Sequence, residues 1–162
     1  MQDYMKKIAH TLALLLMAVT ASQAQLQKVY DEEIDPMAQI DDALAKARVT
    51  DRYVICQVGG NWCPWCLRFA DFIQKDEEIS RMIAAAFEYI HVNYPRKGAP
   101  EPLLQRLGNP GRFGYPVFVV LDAEGNVIHI QDSSFLEEGN GYNRDKVLRF
   151  FECWTPLAVS GE

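Results

Sequence analysis

The sequence predicts an α/β fold, with helices covering both faces of one mixed central sheet. Three observations predict it. Apolar residues switch along the chain between helical spacing and short β-prone runs. The first two strand-like runs are separated by helical segments, so they should pair in parallel. The last two are joined by a short glycine-containing turn, so they should form an antiparallel hairpin. The 162 residues fit one domain, and an apolar fraction of 49% can build a core without disulfides.

Residues 1–24 stand apart from that fold. Lys6 and Lys7 precede the apolar run Leu12–Val19, and Ser22-Gln23-Ala24 sets small residues at the two positions a signal peptidase reads. The apolar run falls well short of the roughly 20 residues that span a bilayer. No cysteine directly follows it, so the usual bacterial lipid attachment site is missing. We expect a signal peptide over 1–24 cleaved after Ala24, a mature domain over 25–162, and a periplasmic or secreted location. Cleavage removes two lysines and one aspartate, a net +1, so the charge of −6 becomes −7. That acidity argues against nucleic acid as a partner, since no basic stripe is present to neutralise phosphates. An exported chain meets an oxidising compartment, where cysteines are disulfides or redox pairs.

The elements follow in order. Residues 25–34 read as a lead-in, with a short edge strand around Leu26–Tyr30. Asp35 is an N-cap and Pro36 a first helical position; Met37, Ile40, Leu44 and Ala47 then share one helical face. Arg52 to Val58 is a buried strand, broken by Gly59-Gly60-Asn61. A helix opens near Cys63, with Leu67, Ala70 and Ile73 on one side. Asp76 caps another through Ile79, Met82, Ile83 and Ala86. Phe87 to Asn93 is the next strand. A proline- and glycine-rich loop, Tyr94–Pro102, leads to a short helix over Leu103–Leu107 and a stop at Gly108–Gly111. Val117–Leu121, the turn Asp122–Asn126 and Val127–Gln131 make the hairpin. A polar loop, Ser133–Asn143, precedes a last amphipathic helix, Arg144–Trp154, with Val147, Leu148 and Phe151 inward.

Cys63 and Cys66 are the chemically telling residues. Two cysteines two residues apart are half a zinc site, a redox pair or coincidence. Zinc needs about four ligands, and Cys56, Cys153, His91 and His129 sit singly in separate predicted elements. No metal or cofactor is therefore expected. The redox reading has positional support: the pair follows a buried strand, crosses a glycine break and opens a helix. Unpaired backbone N–H groups and the helix dipole then face the first cysteine and favour its thiolate. Pro64 fits the first turn, where its missing N–H costs little.

Trp62-Cys63-Pro64-Trp65-Cys66 resembles the active-site motif of the thioredoxin-like family. Gly114-Tyr115-Pro116 before an apolar strand resembles that family's cis-proline segment, and Val117–Leu121, Asp122 and Gly125 continue the match, which covers most of residues 37–154. The resemblance implies a three-layer α/β/α sandwich and a protein-disulfide oxidoreductase. It implies Cys63 as nucleophile and Cys66 as the residue that resolves the mixed disulfide. It also implies substrate contacts from Trp62, Pro64, Trp65, Tyr115 and Pro116, with Pro116 cis. Substrates would be thiols and disulfides of exported proteins, and a membrane partner would supply or accept electrons.

Two departures mark the chain. Thioredoxins keep a buried aspartate six residues before the first cysteine, where it helps move protons at the second; this chain has Gln57. His91, in the next strand, reads either as a proton relay or as a core histidine with a satisfied hydrogen bond. The dipeptide between the cysteines is Pro64-Trp65, unlike the usual Gly-Pro of thioredoxins. Cys56 and Cys153 read as small buried hydrophobes, with a disulfide between them not readable from sequence; Trp65 reads as a substrate contact or packing group, Arg68 as a solvated surface cation or a charge that tunes the cysteines, and Phe135 and Tyr142 as loop anchors or the frame of a binding edge. The competing function is a binding or assembly module of the same fold with the cysteines incidental, which the altered Gln57 position motivates.

Overall fold

The fold comes from a computed structural model that describes residues 26–161. The expected signal peptide over 1–24 lies outside the described residues.

Helix α1 (Pro36–Thr50) starts where Asp35 accepts hydrogen bonds from the Met37 and Ala38 N–H groups, and it ends at Asp51 in the left-handed region. Strand β1 (Tyr53–Gly59) follows, then α2 (Pro64–Lys75) with Cys63 as N-cap and α3 (Glu77–Ala86) capped by Asp76. Strand β2 (Phe87–Asn93), helix α4 (Glu101–Arg106) and a 3-10 turn over Pro110–Phe113 lead to β3 (Val117–Leu121) and β4 (Val127–Asp132). A 3-10 turn, Ser133–Leu136, and the two-residue strands β5 (Glu137–Glu138) and β6 (Gly141–Tyr142) precede α5 (Arg144–Cys153) and α6 (Pro156–Ser160).

The main sheet runs β2-β1-β3-β4. β1 and β2 are parallel, whereas β3 is antiparallel to both β1 and β4. Strand period sorts the core into two layers. Val54, Cys56 and Val58 of β1, with Val117, Val119 and Leu121 of β3, face Ile40, Leu44 and Ala47 of α1 and Leu103 of α4. Ile55, Phe118 and Val120 face the other way, onto Phe69, Ile73, Ile79, Val147, Phe150 and Phe151. Helices thus cover both faces of a mixed sheet. Full burial of Phe69, Phe118 and Phe151 stabilises by about 1.5–3 kcal/mol for each ring. Phe69 fixes α2 against the sheet and so fixes the start of that helix.

The register places the site. Val58 pairs with Val117 across the β1–β3 ladder, so the end of β1 adjoins the start of β3. The cysteine loop after Gly59 therefore meets the Tyr115-Pro116 segment, although more than 50 residues separate them.

Several expectations need correction. Residues 26–30 form no strand. The Asn61 side chain takes the Val29 and Tyr30 N–H groups, each at 3.1 Å, which a strand partner would otherwise have taken. Leu67 is only half-buried on α2, and Phe69 takes the inward position. On α5 the buried apolar residues are Val147, Phe150 and Phe151, with Leu148 packed at their margin. The 133–143 loop is a turn plus a small hairpin. Helix α6 was not expected; Thr155 caps it and Pro156 opens it. Cys153 is exposed rather than buried.

Candidate functional site

The site is built where β1 ends and α2 begins. Cys63 is the N-cap of α2, and its Sγ accepts the Cys66 N–H at 3.2 Å. Pro64 takes the first helical position, so the turn loses no hydrogen bond. The two Cα atoms lie 5.3 Å apart and the pair is joined as a disulfide. Cys63 is 5% exposed and Cys66 fully buried, so Cys63 is the sulfur nearer solvent. One helical turn sets that separation, and the helix start aims backbone N–H groups at the first sulfur.

Gly59 is required by close approach. A Cβ there would collide with Cys66 Sγ and sit 2.9 Å from the Tyr30 hydroxyl. Any larger residue at the end of β1 would therefore push the helix start off the strand.

The sequence-predicted contact residues come together around Cys63. The Tyr115–Pro116 bond is cis. Its preceding carbonyl oxygen lies 3.7 Å from Cys63 Sγ. Pro116 is buried and Tyr115 half-buried. Trp62 stands edge-on to Tyr115 at 5.2 Å and donates its indole N–H to the Tyr94 carbonyl at 3.2 Å. Arg96 lies over its outer face at 5.8 Å. Pro64 is exposed beside the pair. Trp65 is turned away from Tyr115: it stands edge-on to Tyr142 at 5.6 Å and carries Arg68 over its ring at 4.8 Å. Trp65 is thus a packing group with one open side, and Arg68 is a partner of that ring rather than a free surface cation. Tyr142 is buried and anchors its loop, whereas Phe135 is 70% exposed.

Gln57 lies fully buried beneath the pair. Its Nε2 donates to the Tyr30 hydroxyl at 2.7 Å and to the Cys66 carbonyl at 3.0 Å. Its Oε1 accepts from the Tyr89 hydroxyl at 2.6 Å. His91 pairs with Gln57 across β1 and β2, and its ring meets Tyr30 and Tyr89 edge-on at 5.3 and 5.5 Å. Its buried Nε2 has no hydrogen-bond partner among the described residues, so the expected satisfied hydrogen bond is not found at that atom. Burial pushes the His91 imidazole down to about 4. Burial also raises the Tyr30 phenol, against a smaller opposing effect of the Gln57 hydrogen bond, and raises Tyr89 well above its ordinary range. The polar layer under the cysteines is therefore neutral near pH 7.

Tyr30, Asn61, Tyr89 and Tyr94 escaped the sequence reading. Tyr30 lies 27 residues from the glutamine it bonds, and no local pattern marks such a contact. Asn61 alone carried a signal, as a turn residue directly before the motif. Among the described residues, no three or more His, Cys, Asp or Glu side chains gather as a metal site. No helix among them is long and apolar enough to cross a membrane.

A family model described as thioredoxin-like matches residues 35–123, more than half of the chain. The disulfide bond reductase DsbH of Chlamydia pneumoniae is 30% identical over 73 residues, covering 41% of this chain and 43% of that protein. The chain thus spans less than half the length of that relative. The crystal structure of a disulphide isomerase from Xylella fastidiosa Temecula1 superposes with a TM-score of 0.68 at 26% identity, covering 79% of this chain and 97% of that one. A thioredoxin from Thermus thermophilus shares the fold, with a TM-score of 0.52 at 23% identity over 75% of this chain and 88% of that one.

Proposed function

Because the chain belongs to the thioredoxin-like family, we propose that it is a thiol–disulfide oxidoreductase that reduces or isomerises disulfides of exported proteins through Cys63 and Cys66. The observation that carries the reading is the placement of Cys63. It caps α2, accepts a backbone N–H at its sulfur and faces the Tyr115 carbonyl beside the cis bond. A helix N-terminus of this kind favours the thiolate. The names of the Chlamydia and Xylella relatives, a reductase and an isomerase, support the same chemistry.

In the reducing direction the Cys63 thiolate attacks one sulfur of a substrate disulfide. The substrate S–S bond breaks, a Cys63–substrate bond forms, and the first substrate thiolate takes a proton. Cys66 then gives up its proton and attacks Cys63 Sγ. The mixed disulfide breaks, the second substrate thiol leaves, and two electrons have passed from the pair to the substrate. The half-exposed Trp62 and Tyr115, with the open side of Pro64, form the face that a substrate segment meets. Resetting the pair requires a two-electron donor, which we assign to a membrane partner. Export rests on the signal-peptide pattern of residues 1–24, and the mature domain is 25–162.

Insulin reduction by dithiothreitol tests the reading. The protein is expected to accelerate it, Cys63→Ser to abolish the acceleration, and Cys66→Ser to accumulate a mixed disulfide. Equal rates with and without protein would exclude an exchange enzyme and leave the binding module. The mass of the exported protein is expected to begin at Gln25; an intact N-terminus overturns the cleavage.

A further inference from the structure

Gln57 exchanges no electrons, yet it is fully buried beneath the pair and its hydrogen bonds run in one direction. Tyr89 donates to Gln57 Oε1, which fixes the amide so that Nε2 points at Tyr30 and the Cys66 carbonyl. The Tyr30 oxygen accepts from Gln57, so its own proton can be donated to another group. The hydroxyl and Cys66 Sγ both front the same face of Gly59, where an added Cβ would lie 2.9 Å from the hydroxyl and overlap the sulfur. Tyr30 is 4% exposed and packs in one cluster with Cys63 and Cys66. Asn61 holds its backbone from both sides: Oδ1 accepts the Tyr30 N–H at 3.1 Å and Nδ2 donates to the Tyr30 carbonyl at 2.8 Å.

We propose that Tyr30 is the hydrogen-bond donor that stabilises the Cys66 thiolate once the disulfide opens, and that Gln57, Tyr89 and Asn61 position it. The inference rests on the Cys63–Cys66 couple proposed above. Where a thioredoxin sets a carboxylate to receive the proton of the second cysteine, this chain sets a neutral donor to receive its charge. The proton of Cys66 passes to the first substrate thiolate released on attack by Cys63, or to water, and the second substrate sulfur later leaves as a thiolate that takes its proton from water. The sulfur keeps its negative charge against the Tyr30 O–H until it forms the bond to Cys63 and expels the substrate. The titratable groups facing Cys66 are Cys63 on α2, Tyr30 and the Asn61-bound Glu32 in the lead-in, Tyr89 and His91 behind Gln57 on β2, and Tyr115 ahead of β3. None of the phenols or the imidazole is a base near pH 7, because burial holds each neutral.

The test follows thiolate absorbance against pH in a Cys63→Ser, Cys153→Ser background, where Cys66 titrates apart from Cys56, whose thiol burial pushes up to about 12. Tyr30→Phe keeps the ring and removes the donor. It is expected to lower the Cys66 ionisation constant roughly tenfold or more, the size of a hydrogen bond to a charged group. Tyr89→Phe is expected to move it in the same direction by less. Tyr142→Phe, which removes a hydroxyl that donates to the Trp65 carbonyl, serves as the control without a shift. A midpoint unchanged by Tyr30→Phe overturns the inference. If that variant does not fold, an unchanged midpoint in Tyr89→Phe overturns it instead. The titration needs no turnover, so its failure is distinct from a failure of insulin reduction, which would sink the exchange function itself.

Discussion

Cys56 lies within β1 and Cys66 in the helix that follows it, and both are fully buried, yet their surroundings have little in common. Cys56 sits mid-strand in the α1-side layer, among Val54, Val58, Val119 and Ile40. Burial pushes its thiol up to about 12, with only a small opposing pull from Arg106. Cys66 sits in the first turn of α2, beside a second sulfur, a buried amide and a buried phenol. Burial alone therefore silences a thiol. Burial at a helix start, with donors aimed inward, leaves one that can exchange disulfides.

The largest expected effect sets these two regions against each other directly. In the reduced, folded protein at pH 7, iodoacetamide is expected to alkylate Cys63 at least roughly a thousandfold faster than Cys56. A thiol held near 12 presents far less thiolate than a free one with a pKa of about 8.5. Peptide mapping after timed quenching measures the ratio. Comparable rates would mean that the β1 layer opens readily, and the contrast would collapse.

What the sequence made legible follows the same division. Period and capping marked α1, β1, α3, β2 and the β3–β4 hairpin, because each is specified by its own residues: Asp35 and Asp76 cap, and Val117–Leu121 alternates between the two layers. Cys63, Cys66 and Pro116 were legible because their types and spacing are distinctive. Tyr30 and Tyr89 were not, because a buried phenol looks like any core aromatic until its partner is known. The error over Leu26–Tyr30 has the same origin. A run that looks like a strand was claimed by one side chain, Asn61, on a turn thirty residues away. Long-range polar pairing leaves no periodic trace, so the residues that tune the cysteines were the hardest to read.

A second way to sharpen the contrast is to crowd the strand end. Gly59→Ala places a methyl group against Cys66 Sγ and the Tyr30 hydroxyl. We expect a loss of about 1–3 kcal/mol in chemical unfolding, the usual cost of overpacking, together with a reduced share of closed Cys63–Cys66 disulfide by thiol counting. Gly141→Ala, where the added methyl meets nothing within 4 Å, is expected to stay within about 0.5 kcal/mol of the parent. Equal losses in the two variants would show that the strand end yields freely and that Gly59 has no special part in seating α2.

His91 separates burial from function most finely, because its ring meets Tyr30 and Tyr89 beneath the pair. Its imidazole, ordinarily near 6.5, is pushed down to about 4 by burial. The folded protein therefore holds it neutral while the unfolded chain takes up a proton as pH falls below 6.5. The unfolded state binds more protons across that window, so stability decreases as pH falls from about 6.5 towards about 4 and levels off below it. The full shift corresponds to somewhat over 3 kcal/mol at 1.36 kcal/mol per unit. The residue as a whole is half-buried rather than sealed, and solvent screening reduces the expected loss to about 2 kcal/mol. His91→Phe keeps an aromatic ring, gives up no protein hydrogen bond at the buried Nε2, and is expected to remove most of the slope. The comparison belongs between pH 6.5 and 5, above the ordinary carboxylate range of about 3.9–4.3, so that Asp and Glu titration does not mask it. Identical slopes in the two proteins would mean that the buried imidazole finds a proton-stabilising partner when charged. In that case His91, and not only Tyr30, would have a place in handling charge beneath Cys66.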